Sequence, residues 1–112
     1  ANPAVIKLIK SVIRAARRGK VETSLCGEIA GDPVYTMLLI GLGLRNLSLV
    51  PFQIPAIKQV IRKVSVEGCE RLARKVGSLD SDRRILSTLR KELQNIVPEA
   101  LGGWSTEQTT EA

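Results

Sequence analysis

The sequence predicts an α/β fold in which helices alternate with two short parallel strands. Apolar residues recur at helical spacing in segments 3–18, 33–40 and 53–62. Two short apolar segments, 21–25 and 46–50, lie between these helices, and glycine or proline marks most of the junctions. This alternation is the repeat of a βα-barrel or of an open parallel sheet, and the pattern alone leaves both open.

Length and composition restrict the chain to one domain at most, because it has 112 residues. Apolar residues make up 44% of it and aromatic residues only 3%, so its core must be built from Ile, Leu and Val. No apolar run is long enough to cross a membrane, and no signal peptide is visible at the start. Two cysteines are too few for a disulfide framework. These features predict a cytoplasmic protein without a membrane partner.

The first helix is predicted to begin after the cap residue Asn2, with Pro3 in its first turn, and to stop at Gly19. One side of this helix is apolar, with Ile6 and Ile13 flanking it. Its members are Val5, Leu8, Ile9, Val12 and Ala16. We expect this side to face the core.

Basic residues are concentrated at the start of the chain. Residues 1–20 hold six basic side chains and no acidic one, while the other 92 residues hold 11 of each sign. A charged helix face is most often a solvated surface. No aromatic side chain lies among these cations, so nucleic acid is an unlikely partner.

Four further helices are predicted along the chain. Asp32 caps a largely buried helix that runs from Pro33 to about residue 40, and another helix covers 53–62. Ser65 caps a helix that ends near residue 76. An additional helix lies within 80–101, at about 83–97, and 102–112 is predicted to be a disordered tail. Residues 1–79 then form the βα part of the domain.

Cys26 is the first candidate site residue, because it follows the predicted strand 21–25 and precedes a helix. Ligands of parallel α/β proteins bind at this end of the strands, although most cysteines in such settings are small buried apolar residues. Gly27 serves a turn or allows a ligand to approach the backbone. Glu28 stabilises the loop, orients Cys26 or binds a ligand. Ser48 lies at the end of the second predicted strand, where small residues often only give clearance.

An ordered set of motifs resembles the phosphoenolpyruvate-protein phosphotransferase family, which is Enzyme I of the bacterial sugar phosphotransferase system and its nitrogen-related paralogue. The set comprises Asn-Pro-Ala-Val-Ile-Lys-Leu-Ile at 2–9, Cys-Gly-Glu-Ile-Ala-Gly-Asp-Pro at 26–33, Leu-Ile-Gly-Leu-Gly-Leu at 39–44 and Ile-Pro-Ala-Ile-Lys-Gln-Val-Ile-Arg at 54–62. The resemblance extends over about residues 2–79. It implies the C-terminal fragment of a (β/α)8 TIM barrel, with about two parallel strands, followed by an extra helix. Such a fragment would need the rest of the barrel or a homodimer partner.

The resemblance also implies a reaction. The complete enzyme would transfer phosphate from phosphoenolpyruvate (PEP) to its own histidine and then to a phosphocarrier protein, releasing pyruvate. Cys26 would be the proton donor to C3 of enolpyruvate, since a thiol with an unperturbed pKa of about 8.5 is mostly protonated at neutral pH. Gly27 and Glu28 would lie at the substrate. Ser48 would lie near the pocket without an assigned role.

Several groups that this reaction requires are missing from the chain. It contains no histidine, so the phosphate acceptor cannot be one of its residues. The phosphate-binding arginines and the acidic ligands of Mg²⁺ would precede residue 1, and no metal ligand is assigned here. We therefore expect the 112-residue chain to be inactive alone.

Two other functions remain open at this point. The chain could be a non-catalytic module for assembly or dimerisation, in which the helix after residue 80 takes part. It could also belong to another PEP-utilising enzyme such as a dikinase, although the motif at Cys26 is more similar to the protein phosphotransferases. The sequence does not separate the sugar branch from the nitrogen-regulatory branch.

Overall fold

The computed structural model describes residues 2–97, with the side chain of Glu28 excepted. This part of the chain forms six α-helices and one turn of 3-10 helix. They are α1 Pro3–Arg18, α2 Glu28–Gly31, α3 Pro33–Leu42, the 3-10 turn Pro51–Gln53, α4 Ile54–Lys63, α5 Val66–Gly77 and α6 Asp82–Ile96. The five longer helices were each predicted to within two residues. The predicted tail 102–112, and the last residues of the predicted segment 80–101, lie outside the described residues.

The predicted α/β fold is wrong, because residues 2–97 contain no β-strand. Segments 21–25 and 46–50 do run side by side in the parallel sense, but they meet only at an isolated bridge between Leu25 and Leu47. Parallel strands are normally stable within larger sheets that helices cover on both faces. No third segment of the described chain pairs with these two. The chain is therefore an assembly of helices, and not a barrel fragment with two parallel strands.

Side chains cap four of the helices at their first turn. Asn2, Asp32, Ser65 and Ser81 each accept a hydrogen bond from a backbone N–H two or three residues later. These residues satisfy N–H groups that have no partner inside the helix. Helix α3 ends at Gly43, whose φ of 110° lies in the left-handed region. Such short-range signals explain why the helix bounds were predictable.

Helix α3 is the centre of the molecule. Its residues are buried over most of its circumference, as its nearly continuous apolar sequence predicted. Residues of α1, α4, α5 and α6 pack around it, and the main core is Ile6, Val34, Met37, Leu38, Val60, Cys69, Leu72, Val76, Ile85, Leu89, Leu93 and Val97. A smaller cluster of Ile13, Leu39 and Leu44 lies between α1 and the end of α3. Burial of these aliphatic side chains drives the helices together.

Helices α3 and α5 approach each other closely at Gly41. A Cβ atom built on Gly41 would overlap the backbone carbonyl of Cys69. The missing side chain therefore lets the backbone of α5 lie directly against α3. This contact fixes the spacing of the two helices near the C-terminal end of α3.

Helix α1 buries only part of the side predicted to face the core, since Ile9 and Ala16 are half-buried. Ile6 and Ile13, expected at the flanks, are the buried residues. Val5, Leu8 and Val12 are 41%, 64% and 52% exposed. The apolar arc of α1 is wider than the surface that α3 and α5 offer, so only one part of it is covered. The rest forms an exposed apolar stripe.

Candidate functional site

The bridge between Leu25 and Leu47 brings the two predicted site segments together. The Leu25 N–H donates to the Asn46 carbonyl at 3.2 Å, and the Ser48 N–H donates to the Leu25 carbonyl at 2.8 Å. The Asn46 side-chain amide strengthens the pairing by donating to the Glu22 carboxylate at 3.1 Å. Cys26 therefore follows one paired residue and Ser48 follows the other. Both emerge at the same end of the pair.

Beyond the bridge lies an open cavity of about 440 Å³. Its lining residues are Cys26, Gly27, Ser48, Leu49, Val50 and Gln53. Three residues singled out from the sequence, Cys26, Gly27 and Ser48, thus share one cavity. The roles assigned to Cys26 and Gly27 stay predictions.

The Cys26 thiol is exposed, whereas the Cys69 thiol is fully buried. An exposed thiol beside a cavity can exchange its proton with a bound molecule and with solvent. Cys69 packs in the core, where burial raises the pKa of its thiol. Of the two cysteines, Cys26 is the one that a ligand and solvent can reach, as proton transfer by a thiol requires.

Gly27 adopts a backbone conformation that favours glycine. Its φ is 99° and its ψ is −168°, a region that side chains with a Cβ rarely enter. Apart from Gly27 and its two chain neighbours, no residue places an atom within 4 Å of a Cβ built there, so steric crowding by the rest of the protein does not explain this glycine. The backbone conformation supports a role for Gly27 in a turn, and the open space in front of Gly27 leaves room for a ligand.

The short helix α2 connects this turn to α3. Glu28 begins α2, but its side chain lies outside the described part of the structure, so its predicted contact with substrate stays a prediction. The Gly31 N–H donates to the Gly27 carbonyl at 3.3 Å, which closes the turn. Asp32 then caps α3 by accepting from the Val34 N–H at 3.0 Å, as predicted. Burial raises the pKa of Asp32, and this hydrogen bond opposes the shift.

Gln53 also belongs to this site, although the sequence did not predict it. It lies in the 3-10 turn, is half-buried and lines the same cavity as Cys26. Its side-chain oxygen accepts a hydrogen bond from the Val50 N–H at 3.4 Å. A glutamine at the start of a predicted helix gives no local signal of a site, because its role depends on a segment more than 20 residues away.

The described residues contain no group of three His, Cys, Asp or Glu side chains that could hold a metal ion. The arrangement around Cys26 offers a thiol, a hydroxyl and an amide, which suit hydrogen bonding and proton exchange better than binding of Mg²⁺. Within residues 2–97, no helix is both long and apolar enough to cross a membrane.

The basic side chains of α1 are exposed, as the sequence predicted. They are Lys7, Lys10, Arg14, Arg17 and Arg18. Arg17 and Arg18 lie in the last turn of α1, where a positive charge interacts favourably with the helix dipole. None of these residues lines the cavity at Cys26.

Comparison with known proteins gives consistent matches. Residues 1–66 match the family model described as PEP-utilising enzyme, PEP-binding domain. The phosphoenolpyruvate-protein phosphotransferase of Buchnera aphidicola subsp. Acyrthosiphon pisum is 43% identical over 86 residues, which are 77% of this chain and 15% of that relative. The protein of the same name from Borreliella burgdorferi is 41% identical over 90 residues, which are 80% of this chain and 16% of the relative.

A more distant relative has a different name. The multiphosphoryl transfer protein of Escherichia coli is 33% identical over 88 residues, which are 79% of this chain and 11% of that relative. The chain therefore spans less than a fifth of the length of the curated relatives that it matches.

Proposed function

Because the chain belongs to the PEP-binding domain family of PEP-utilising enzymes, we propose that it supplies the proton donor of a phosphoenolpyruvate-protein phosphotransferase. The whole enzyme would transfer phosphate from PEP to one of its own histidines, pass it to a phosphocarrier protein in the cytoplasm and release pyruvate. The single observation that carries the proposal is the exposed Cys26 thiol at the cavity that it shares with Gly27 and Ser48.

The proposed chemistry at Cys26 is a proton transfer to carbon. Loss of the phosphoryl group from PEP leaves the enolate of pyruvate. The electron pair of this enolate forms a new C–H bond at C3 with the proton of the Cys26 Sγ, and a thiolate remains. Solvent returns the proton to the exposed thiolate. A positioned acid of this kind typically accelerates the step by about 100- to 10,000-fold.

Other groups of this reaction would come from elsewhere in a longer protein. The chain has no histidine, so it cannot carry the phosphate and would be inactive alone. Mg²⁺ in the complete enzyme would neutralise phosphate charge. Its ligands would lie outside residues 2–97, since no cluster of acidic side chains suited to it exists there.

Replacement of Cys26 in the complete enzyme tests the proposal. We expect Cys26→Ala to lower kcat for pyruvate formation by at least about 100-fold, because the proton donor is lost. The KM for PEP should change little, because the thiol is not needed for binding. The unaltered 112-residue chain serves as a control that should form no pyruvate. Equal losses in binding and turnover would contradict the assignment.

A second function, assembly, is favoured by the exposed apolar stripe of α1. Val5, Leu8 and Val12 lie on one side of the helix and are all exposed. Apolar side chains grouped in this way often mark an interface. The stripe would pack against the remainder of a longer enzyme or against a second copy of the chain. Assembly and catalysis are compatible, since the stripe and the Cys26 cavity involve different residues.

Light scattering on the 112-residue chain tests this second function. We expect the unaltered chain to form a species heavier than one chain of 12.2 kDa. Leu8→Glu should shift it toward that mass, because a carboxylate in an apolar interface is costly to desolvate. Lys7→Glu, on the basic side of the same helix, is the matched control. A single-chain mass for the unaltered protein would rule out self-association through the stripe.

A further inference from the structure

Gln53 connects the two segments that form the cavity. We propose that Gln53 is a positioning residue whose side-chain amide holds the segment of Cys26 against the segment of Ser48 and thereby fixes the width of the cavity. The inference deepens the proposed function, since it rests on Cys26 acting in this cavity. Two contacts of the Gln53 side chain support it.

The first contact joins Gln53 to the segment after Ser48. The Val50 N–H donates to the Gln53 side-chain oxygen at 3.4 Å. In return, the Gln53 backbone N–H donates to the Val50 carbonyl at 3.0 Å. This reciprocal pair closes the turn that contains Pro51, and it directs the amide of Gln53 back along the chain. Both Val50 and Gln53 line the cavity.

The second contact joins Gln53 to the segment after Cys26. A Cβ atom built on Gly31 would overlap the side-chain amide of Gln53, and the three nearest atoms all belong to that amide. The amide therefore lies flat against the backbone of Gly31, which is buried at the end of α2. Gly31 in turn bonds to the Gly27 carbonyl. A displacement of the amide would therefore move Gly31 and, through this hydrogen bond, the Gly27 turn beside Cys26.

The two segments are consequently tied on both sides of the cavity. Before the cavity residues, the bridge between Leu25 and Leu47 pairs the segments through backbone hydrogen bonds. Beyond Cys26 and Ser48, the Gln53 side chain contacts both Gly31 and Val50. In the described residues, the second tie depends on one side chain, so a single substitution can release it without disturbing the bridge.

The relative access of a large and a small thiol reagent measures the width of the cavity. The rates at which N-ethylmaleimide and a bulky maleimide modify Cys26 are compared in the 112-residue chain, with the site identified by peptide mass. Because both reagents attack the same thiolate, the ratio of the two rates cancels differences in thiol ionisation and reports access. Buried Cys69 is followed in the same samples as an internal check on folding.

We expect Gln53→Ala to raise the ratio of the bulky to the small rate by at least about threefold. Gly31→Ala should act in the same direction, because the new methyl group displaces the flexible end of Gln53. The double variant should match Gln53→Ala alone, since residues in contact are not additive. Gln53→Glu should stay near the unaltered ratio, because it keeps the volume and the acceptor for the Val50 N–H.

Two substitutions serve as matched controls. Gln94→Ala removes an exposed glutamine of α6, far from the lining of the cavity. Gly77→Ala adds a methyl group at the end of α5, where no atom lies within 4 Å of the new Cβ. Neither should change the ratio.

The inference is overturned if Gln53→Ala and Gly31→Ala both keep the unaltered ratio while circular dichroism shows an intact helical signal. It is also overturned if the control Gln94→Ala shifts the ratio as much as Gln53→Ala does. Should Gln53→Ala fail to fold, Gly31→Ala decides, since only the end of a flexible side chain must move for it. The test uses no PEP, so its failure would leave the proposed role of Cys26 standing. Failure of the Cys26→Ala test would remove the catalytic role of the cavity but leave the effect of Gln53 on its width.

Discussion

Single residues acquire different roles here through exposure more than through type. Cys26 and Cys69 are chemically identical, but one thiol borders a cavity and the other is part of the core. Cys26 precedes a helix, as predicted, and Cys69 lies within α5, a segment for which the sequence predicted a helix. The family resemblance placed Ser48 near the pocket of Cys26, but nothing in the sequence indicated Gln53, because its contact with Gly31 joins segments far apart in sequence.

We predict that Asp32 makes the free energy of unfolding depend on pH. Burial raises the pKa of Asp32 above its ordinary value, so the folded chain holds the proton more tightly than the unfolded chain. The contribution of Asp32 to stability is then greatest below its unfolded pKa. It declines as pH rises through the interval between the unfolded and folded values.

Asp32→Asn isolates this contribution, because asparagine also caps helices but does not ionise. We expect the free energy of unfolding of the variant, relative to the unaltered chain, to increase between about pH 3 and about pH 7. Urea titrations of both proteins at the two pH values measure the difference. A decrease over the same range would mean that the Val34 hydrogen bond outweighs burial.

At the level of helices, the spacing of α3 and α5 depends on Gly41. Gly41→Ala places a Cβ against the backbone of Cys69, which cannot move without separating the two helices. We expect the free energy of unfolding to fall by about 1–3 kcal/mol, the usual cost of overpacking a core. Urea unfolding gives the value.

Gly77→Ala is the control for the same element, since open space surrounds that position. It should be neutral or stabilise by up to about 1 kcal/mol, because alanine restricts the unfolded chain. If Gly41→Ala and Gly77→Ala lower the free energy of unfolding by the same amount, Gly41 does not set the spacing of the two helices.

The helices could be predicted and the strands could not, for one physical reason. Caps such as Asn2 and Ser81, and the left-handed Gly43, act within a few residues, so the sequence displays them. A parallel strand depends on neighbours supplied by distant segments. Segment 21–25 has the composition of a strand, yet it finds one bridging partner and forms no ladder. The buried side of α1 was predicted only in part for a similar reason, since it depends on where α3 lies.

For the molecule as a whole, the chain represents a minor part of the relatives that it matches. Its described residues contain a packed core of helices and one cavity with an exposed thiol, but no cluster suited to a metal. The exposed stripe of α1 is the surface that we propose for contact with the rest of a longer enzyme or with a second copy. These features are consistent with a part that contributes one chemical group to a larger site.

The proposed role of Cys26 is to protonate C3 of enolpyruvate. Exchange of the methyl hydrogens of pyruvate for solvent deuterium, followed by proton NMR in the complete enzyme with PEP present, tests it most directly. We predict that Cys26→Ala slows this exchange by at least about 100-fold, while the phosphorylated enzyme still passes its phosphate to the carrier protein. Exchange at the unaltered rate in the variant would contradict the claim, because another group would then be moving the proton.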